Sequence, residues 1–146
     1  MVLKKILAML LGGLLLCTSL TASAYAETTS SVVESDIAPA YEIAANIKSN
    51  LSISEQTAYC KSEANGIDAV SITVEQTLQK QGFLWVWYGV DGASWKTTVN
   101  RNSISVVNTK SGLSSGKYRL KSVFKLTDKY GKTETLTIYS TQKEVG

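Results

Sequence analysis

Apolar positions along this chain recur with a period of two in short runs, and turn residues separate the runs. In residues 68–80, Val70, Ile72 and Val74 alternate with Ser71, Thr73 and Glu75, and Leu78 keeps that parity. Side chains of a strand point alternately to opposite faces, so the spacing predicts one buried and one wet face. Farther on, Tyr118, Leu120, Ser122, Phe124 and Leu126 share one face, and Arg119, Lys121, Val123 and Lys125 share the other. Leu136, Ile138 and Ser140 alternate with Thr135, Thr137 and Tyr139. Leu51 and Ile53 mark an earlier strand, Ala58 and Cys60 the next, and Ile104 and Val106 another. Turn signals stand at Glu55-Gln56, Ala64-Asn65-Gly66, Gln81-Gly82, Asp91-Gly92 and Asp128–Gly131. Asp91-Gly92 predicts a hairpin between the apolar run Phe83–Val90 and a return strand Ser94–Val99. About seven short strands without a helix predict an all-β domain, a two-sheet sandwich or, alternatively, a small β-barrel.

The first residues follow another logic. Lys4 and Lys5 precede an apolar run from Ile6 to Cys17, and Ala22-Ser23-Ala24 and Ala24-Tyr25-Ala26 are small-x-small sites. That order predicts a helical signal peptide over residues 1–26, cleaved to leave Glu27 first. The run is shorter than the ~20 residues a membrane span needs. Leu16 before Cys17 argues against lipidation there. Residues 27–36 are polar and acidic and read as a flexible leader, with the sandwich domain over 37–146. The expectation is a protein secreted to the extracellular side, with no membrane span after cleavage.

Composition narrows the function. Removing residues 1–26 removes two lysines and no acid, so 13 basic residues face 12 acidic ones and the net charge falls from +3 to +1. Nucleic acid is therefore not an expected partner. The chain has no histidine, which takes away the usual general base and the commonest metal ligand. Asp68, Glu75, Asp91, Asp128 and Glu134 are scattered over turns and strand faces, no glycine-rich phosphate loop is present, and cysteine and histidine ligands for zinc are lacking. No enzyme activity, cofactor or metal is expected. Cys60 alone remains after processing and reads either as a small buried hydrophobe or as a thiol that pairs between chains.

The aromatic content is concentrated. As a strand, Phe83–Val90 puts Phe83, Trp85 and Trp87 on one face and Leu84, Val86, Tyr88 and Val90 on the other. A sandwich buries only one face of a strand. The aromatics either fill the core or form an exposed platform, with Trp95 extending it. The candidate binding surface is Phe83, Trp85, Trp87, Tyr88 and Trp95.

Gly116-Lys117-Tyr118 before the penultimate strand looks like the tyrosine corner of immunoglobulin-type sandwiches, which predicts an immunoglobulin-like arrangement. Two residues after that tyrosine, where antibody domains carry a cysteine, this chain has Leu120; Cys60 falls where the other half of the bridge would lie. Tyr118, Cys60 and Leu120 are thus the fold-defining candidates. Ile37-x-Pro39-x-Tyr41, Leu51-Ser52-Ile53, Thr57-Ala58-x-Cys60, Thr77–Lys80, Gly116-x-Tyr118 and Thr135–Ser140, taken in order, resemble a family of small, uncharacterised secreted proteins of Gram-positive bacteria. Those proteins have a signal peptide and one β-sandwich domain. The chain departs from them at Phe83–Tyr88, where a Gly/Ser-rich turn before a single tryptophan is expected. The resemblance implies export and a sandwich and carries no activity. The functional expectation is a secreted, non-catalytic binding module for an extracellular surface, glycan or protein. The alternative is a structural protein that self-associates into a homo-oligomer through the same aromatic segment.

Overall fold

The computed structural model describes residues 41–146, so the segments expected to be a signal peptide (1–26) and a leader (27–36), and Ile37–Ala40, lie outside the described residues. Eight strands follow in order: β1 (Ala44–Ser54), β2 (Thr57–Gly66), β3 (Ala69–Gln81), β4 (Trp87–Val99), β5 (Ser103–Lys110), β6 (Gly116–Asp128), β7 (Thr133–Tyr139) and β8 (Lys143–Val145). β1-β2-β5 form one antiparallel sheet and β4-β3-β6-β7 the other, with β8 continuing the line of β7 along β6. The fold is a two-sheet sandwich, and the barrel alternative falls because the sheets stay separate.

The alternation seen in the sequence sets the buried faces. Ile72, Val74 and Leu78 on β3 face inward with Tyr118, Leu120, Phe124 and Leu126 on β6. Leu51 on β1, with Ala58 and Cys60 on β2, meets them from the other sheet. Val70 breaks its expected place: a bulge between Ala69 and Ser71 turns it outward. β8 escaped prediction because Lys143-Glu144-Val145 is too short to show a period.

Two turn signals are used differently from the expectation. β2 runs on through Gly66, and the chain changes sheets at Ile67-Asp68 instead. Gly66 is needed at that corner for close approach, since a Cβ there would lie 2.5 Å from Cβ of Ala69. Asp91-Gly92 is not a hairpin turn. Thr77 pairs with Ser94 and Gln79 with Gly89, so residues 90–93 form a wide bulge within β4. Gly92 takes φ 65 there, and Ser94–Val99 continues the same strand.

The core has two apolar halves. One gathers Ile43, Ala64, Ile72, Val74, Phe124 and Leu126; the other gathers Leu51, Cys60, Leu78, Leu113, Tyr118 and Leu120. A buried polar belt lies between them. Gln76 Nε2 donates to the Cys60 carbonyl at 2.9 Å and to Ser62 Oγ at 2.7 Å, and Asn108 Nδ2 donates to Gln76 Oε1 at 2.7 Å. The Ser122 hydroxyl pairs with those of Ser62 (2.7 Å) and Ser49 (2.8 Å). Five strands contribute, three from one sheet and two from the other. Among the described residues every buried side-chain polar atom has a partner, as burial demands.

Candidate functional site

β3 and β4 are joined at one end of the sandwich by a short tip. Phe83–Val86 form a tight turn in which Val86 N–H donates to the Phe83 carbonyl at 3.4 Å, and Gly82 N–H donates to the Val86 carbonyl at 2.7 Å across its base. The segment Phe83–Val90 is therefore not one strand, and its aromatics do not sort onto two faces. A run of six apolar residues matches a buried strand as well as a loop, and only the pairing of Gln81 with Trp87 decides between them.

The tip projects apolar side chains into solvent. Phe83 is 84% exposed, Leu84 71% and Trp85 75%. Leu84 and Trp85 take φ 56 and φ 65, the left-handed region that glycine and asparagine favour. Each bulky residue held there costs on the order of 1 kcal/mol. Neither its conformation nor its exposure makes this segment favourable for folding.

The remaining candidates separate. Trp95 pairs with the inward-facing Gln76 and packs half-buried against the apolar half that contains Tyr118, so it does not extend the platform. Trp87 is half-buried on the outer face of the larger sheet, beside the Arg119 guanidinium. That guanidinium lies 4.4 Å from the Trp87 ring centroid and 4.2 Å from that of Tyr139. Its Nε donates to Gln79 Oε1 at 2.9 Å, which fixes the group between the rings. Only Phe83, Trp85 and Tyr88 of the five candidates stay well exposed.

Tyr88 leads to a feature that sequence reasoning missed. Its ring packs over Gly82 and lines a cleft of about 330 Å³ between the base of the tip and the loop after β5. Tyr88, Val90 and Leu113 give apolar wall, and Lys80 and Lys110 bring two ammonium groups. Lys80 Nζ donates to Ser114 Oγ at 2.7 Å and lies 5.6 Å from the Tyr118 ring centroid. The lining holds no carboxylate and no thiol, so the cleft offers apolar contact and positive charge. On the opposite flank a second hollow runs along Phe83, Leu84 and Trp85 to Lys117. Lysines near the ends of strands read as ordinary solvated residues in a sequence, and only the fold gathers these.

Tyr118, Cys60 and Leu120 lie together in one apolar half of the core. Tyr118 is buried and its hydroxyl donates to the Ser114 carbonyl, four residues upstream, at 2.6 Å. Cys60 and Leu120 are both fully buried in the apolar half that contains Tyr118. Desolvation pushes the Cys60 thiol up from an ordinary 9.0 to about 12. Stability drawn from the neutral thiol is whole below pH 9 and declines as pH rises towards about 12. Native protein at about pH 8 is expected to resist a thiol reagent and to react once denaturant opens the core. Reaction of folded protein at the rate of a free thiol would disprove this burial.

No protein-family model matches the chain, and no curated protein matches it in sequence. A solved structure described as wild-type OgpA from Akkermansia muciniphila has a TM-score of 0.38 at 10% identity, over 73% of this chain. The chain spans 31% of that protein's length.

Proposed function

We propose that this chain is an exported, non-catalytic binding module that engages an extracellular surface, glycan or protein through the tip between β3 and β4. The observation that carries the reading is the pair Leu84 and Trp85: two bulky apolar residues, solvent-exposed, in a left-handed conformation. Backbone strain of this kind collects at ligand clamps. The flanking hollows give a ligand a place to continue. Residues 1–26 support export. The order β1-β2-β5 against β4-β3-β6-β7, with the Tyr118 corner, supports an immunoglobulin-like sandwich that presents the tip at one end.

The test is the variant L84N/W85G. Asparagine and glycine suit positive φ, so its unfolding midpoint should equal or exceed that of the parent. Its binding to isolated Gram-positive cell walls and to an array of neutral glycans and secreted proteins should fall at least about tenfold. Light scattering separates the second reading, self-association, which the same exposed tip favours. A parent that is oligomeric and a variant that is monomeric would replace the binding module with a self-assembling protein. Binding unchanged in the variant would remove the tip from the site.

A further inference from the structure

The outer face of the larger sheet carries an unbalanced row of charge. Tyr118, Leu120, Ser122, Phe124 and Leu126 point into the core, so the alternate residues Lys117, Arg119, Lys121, Val123 and Lys125 point out along β6, and four of these five are cations. Alternate residues are about 7 Å apart, so the row is about 27 Å long. β6 lies inside the sheet, between β3 and β7. An interior strand has two neighbours on which carboxylates could stand opposite its cations, as stability would favour. Instead Lys121 stands between Thr77 and Tyr139, and Lys125 between Thr73 and Thr135. Arg119 faces Gln79. Of the acids on this face, Glu75 is paired with Lys96 at 2.6 Å, and Glu144 stands across from Lys117 at the end of the row. Among the described residues none of the four cations forms an ion pair.

The geometry points to a second binding surface that takes a linear acidic polysaccharide laid along β6 and shares only Lys117 with the hollow beside the tip. Arg119 is held between Trp87 and Tyr139 with its Nε on Gln79, so its remaining N–H groups need no ordering on binding. Carboxylate groups along the polymer meet the cations at intervals, while sugar hydroxyls meet the Thr73, Thr77 and Thr135 hydroxyls between them. The two aromatic rings already stack on the guanidinium and are not free as platforms for bases. That favours a sugar polymer over single-stranded nucleic acid.

Affinity electrophoresis of the full chain in gels containing polygalacturonate, neutral dextran or single-stranded DNA tests the proposal at about 50 mM and about 150 mM salt. Wild-type protein should be retarded by polygalacturonate and not by dextran. K121Q/K125Q should bind about tenfold more weakly at the lower salt, with a salt slope reduced by about two charges. K121R/K125R should retain binding. K48Q/K61Q removes the same charge from the other sheet and should bind as wild type does. L84N/W85G should also bind polygalacturonate as wild type does, which keeps this surface separable from the tip. The substitutions lie on solvent faces, and an unchanged unfolding midpoint confirms that each variant folds. No retardation of wild type, an equal loss in K48Q/K61Q, or tighter binding to DNA than to polygalacturonate would each overturn the assignment.

Discussion

Tyr118→Ala should lower the unfolding free energy by about 4 kcal/mol, whereas Tyr118→Phe should lower it by about 1 kcal/mol. The difference follows from what each change removes. Alanine deletes a ring that is 1% exposed and leaves a void among Leu78, Leu113 and Leu120. It also deletes the bond from the phenol to the Ser114 carbonyl. Phenylalanine keeps the packing and loses only that bond. Because Ser114 holds Lys80 through its hydroxyl, both variants should also loosen the wall of the cleft. Urea titration of parent and variants measures the pair of effects, given two-state unfolding of a domain this size. Equal losses for the two variants would mean that the corner bond, not the ring, dominates.

The second large effect is expected at Gln76. Gln76→Leu should cost about 3 kcal/mol although leucine is close in volume and apolar. The side-chain amide makes three bonds, to the Cys60 carbonyl, to Ser62 and from Asn108. Leucine leaves those partners without theirs in a buried setting, at about 1 kcal/mol or more for each that water cannot reach. Asn108 is half-buried and recovers part of its loss from solvent. Ser122→Ala in the Gln76→Leu background should cost more than in the parent, because Ser62 is then buried with neither of its partners. A double-mutant cycle with urea measures that coupling, and strict additivity would show that the belt does not act as a unit.

The strands were legible where a buried face meets a wet one. β3 and β6 show their period plainly because Ile72, Val74, Leu120, Phe124 and Leu126 alternate with polar residues. The inward place of Tyr118 was legible as well, since it keeps the parity of Leu120, Phe124 and Leu126, and its hydroxyl bonds the Ser114 carbonyl. What failed depended on register. Asp91-Gly92 has the chemistry of a hairpin turn, but β3 is long enough to pair on both sides of it, and the pairing makes it a bulge. Phe83–Tyr88 could be divided into turn and strand only once Gln81 was known to face Trp87. The belt was hidden for another reason. Ser62, Gln76 and Ser122 keep the inward parity of their strands, yet polar residue types suggest a wet position unless partners from other strands are known. The lysines of the cleft are likewise far apart in sequence and meet only in the folded chain.

The polar belt also has a mechanical consequence. Its bonds tie β3 and β6 of one sheet to β1, β2 and β5 of the other at mid-height. Sliding the sheets past each other by one pleat would set Ser62 or Ser122 against leucine and phenylalanine and break every bond in the belt at once. Pull applied at the tip enters along β3 and loads the belt in shear. The half of the core beneath the tip therefore resists opening alone, and the tip keeps a fixed heading relative to the basic face under load.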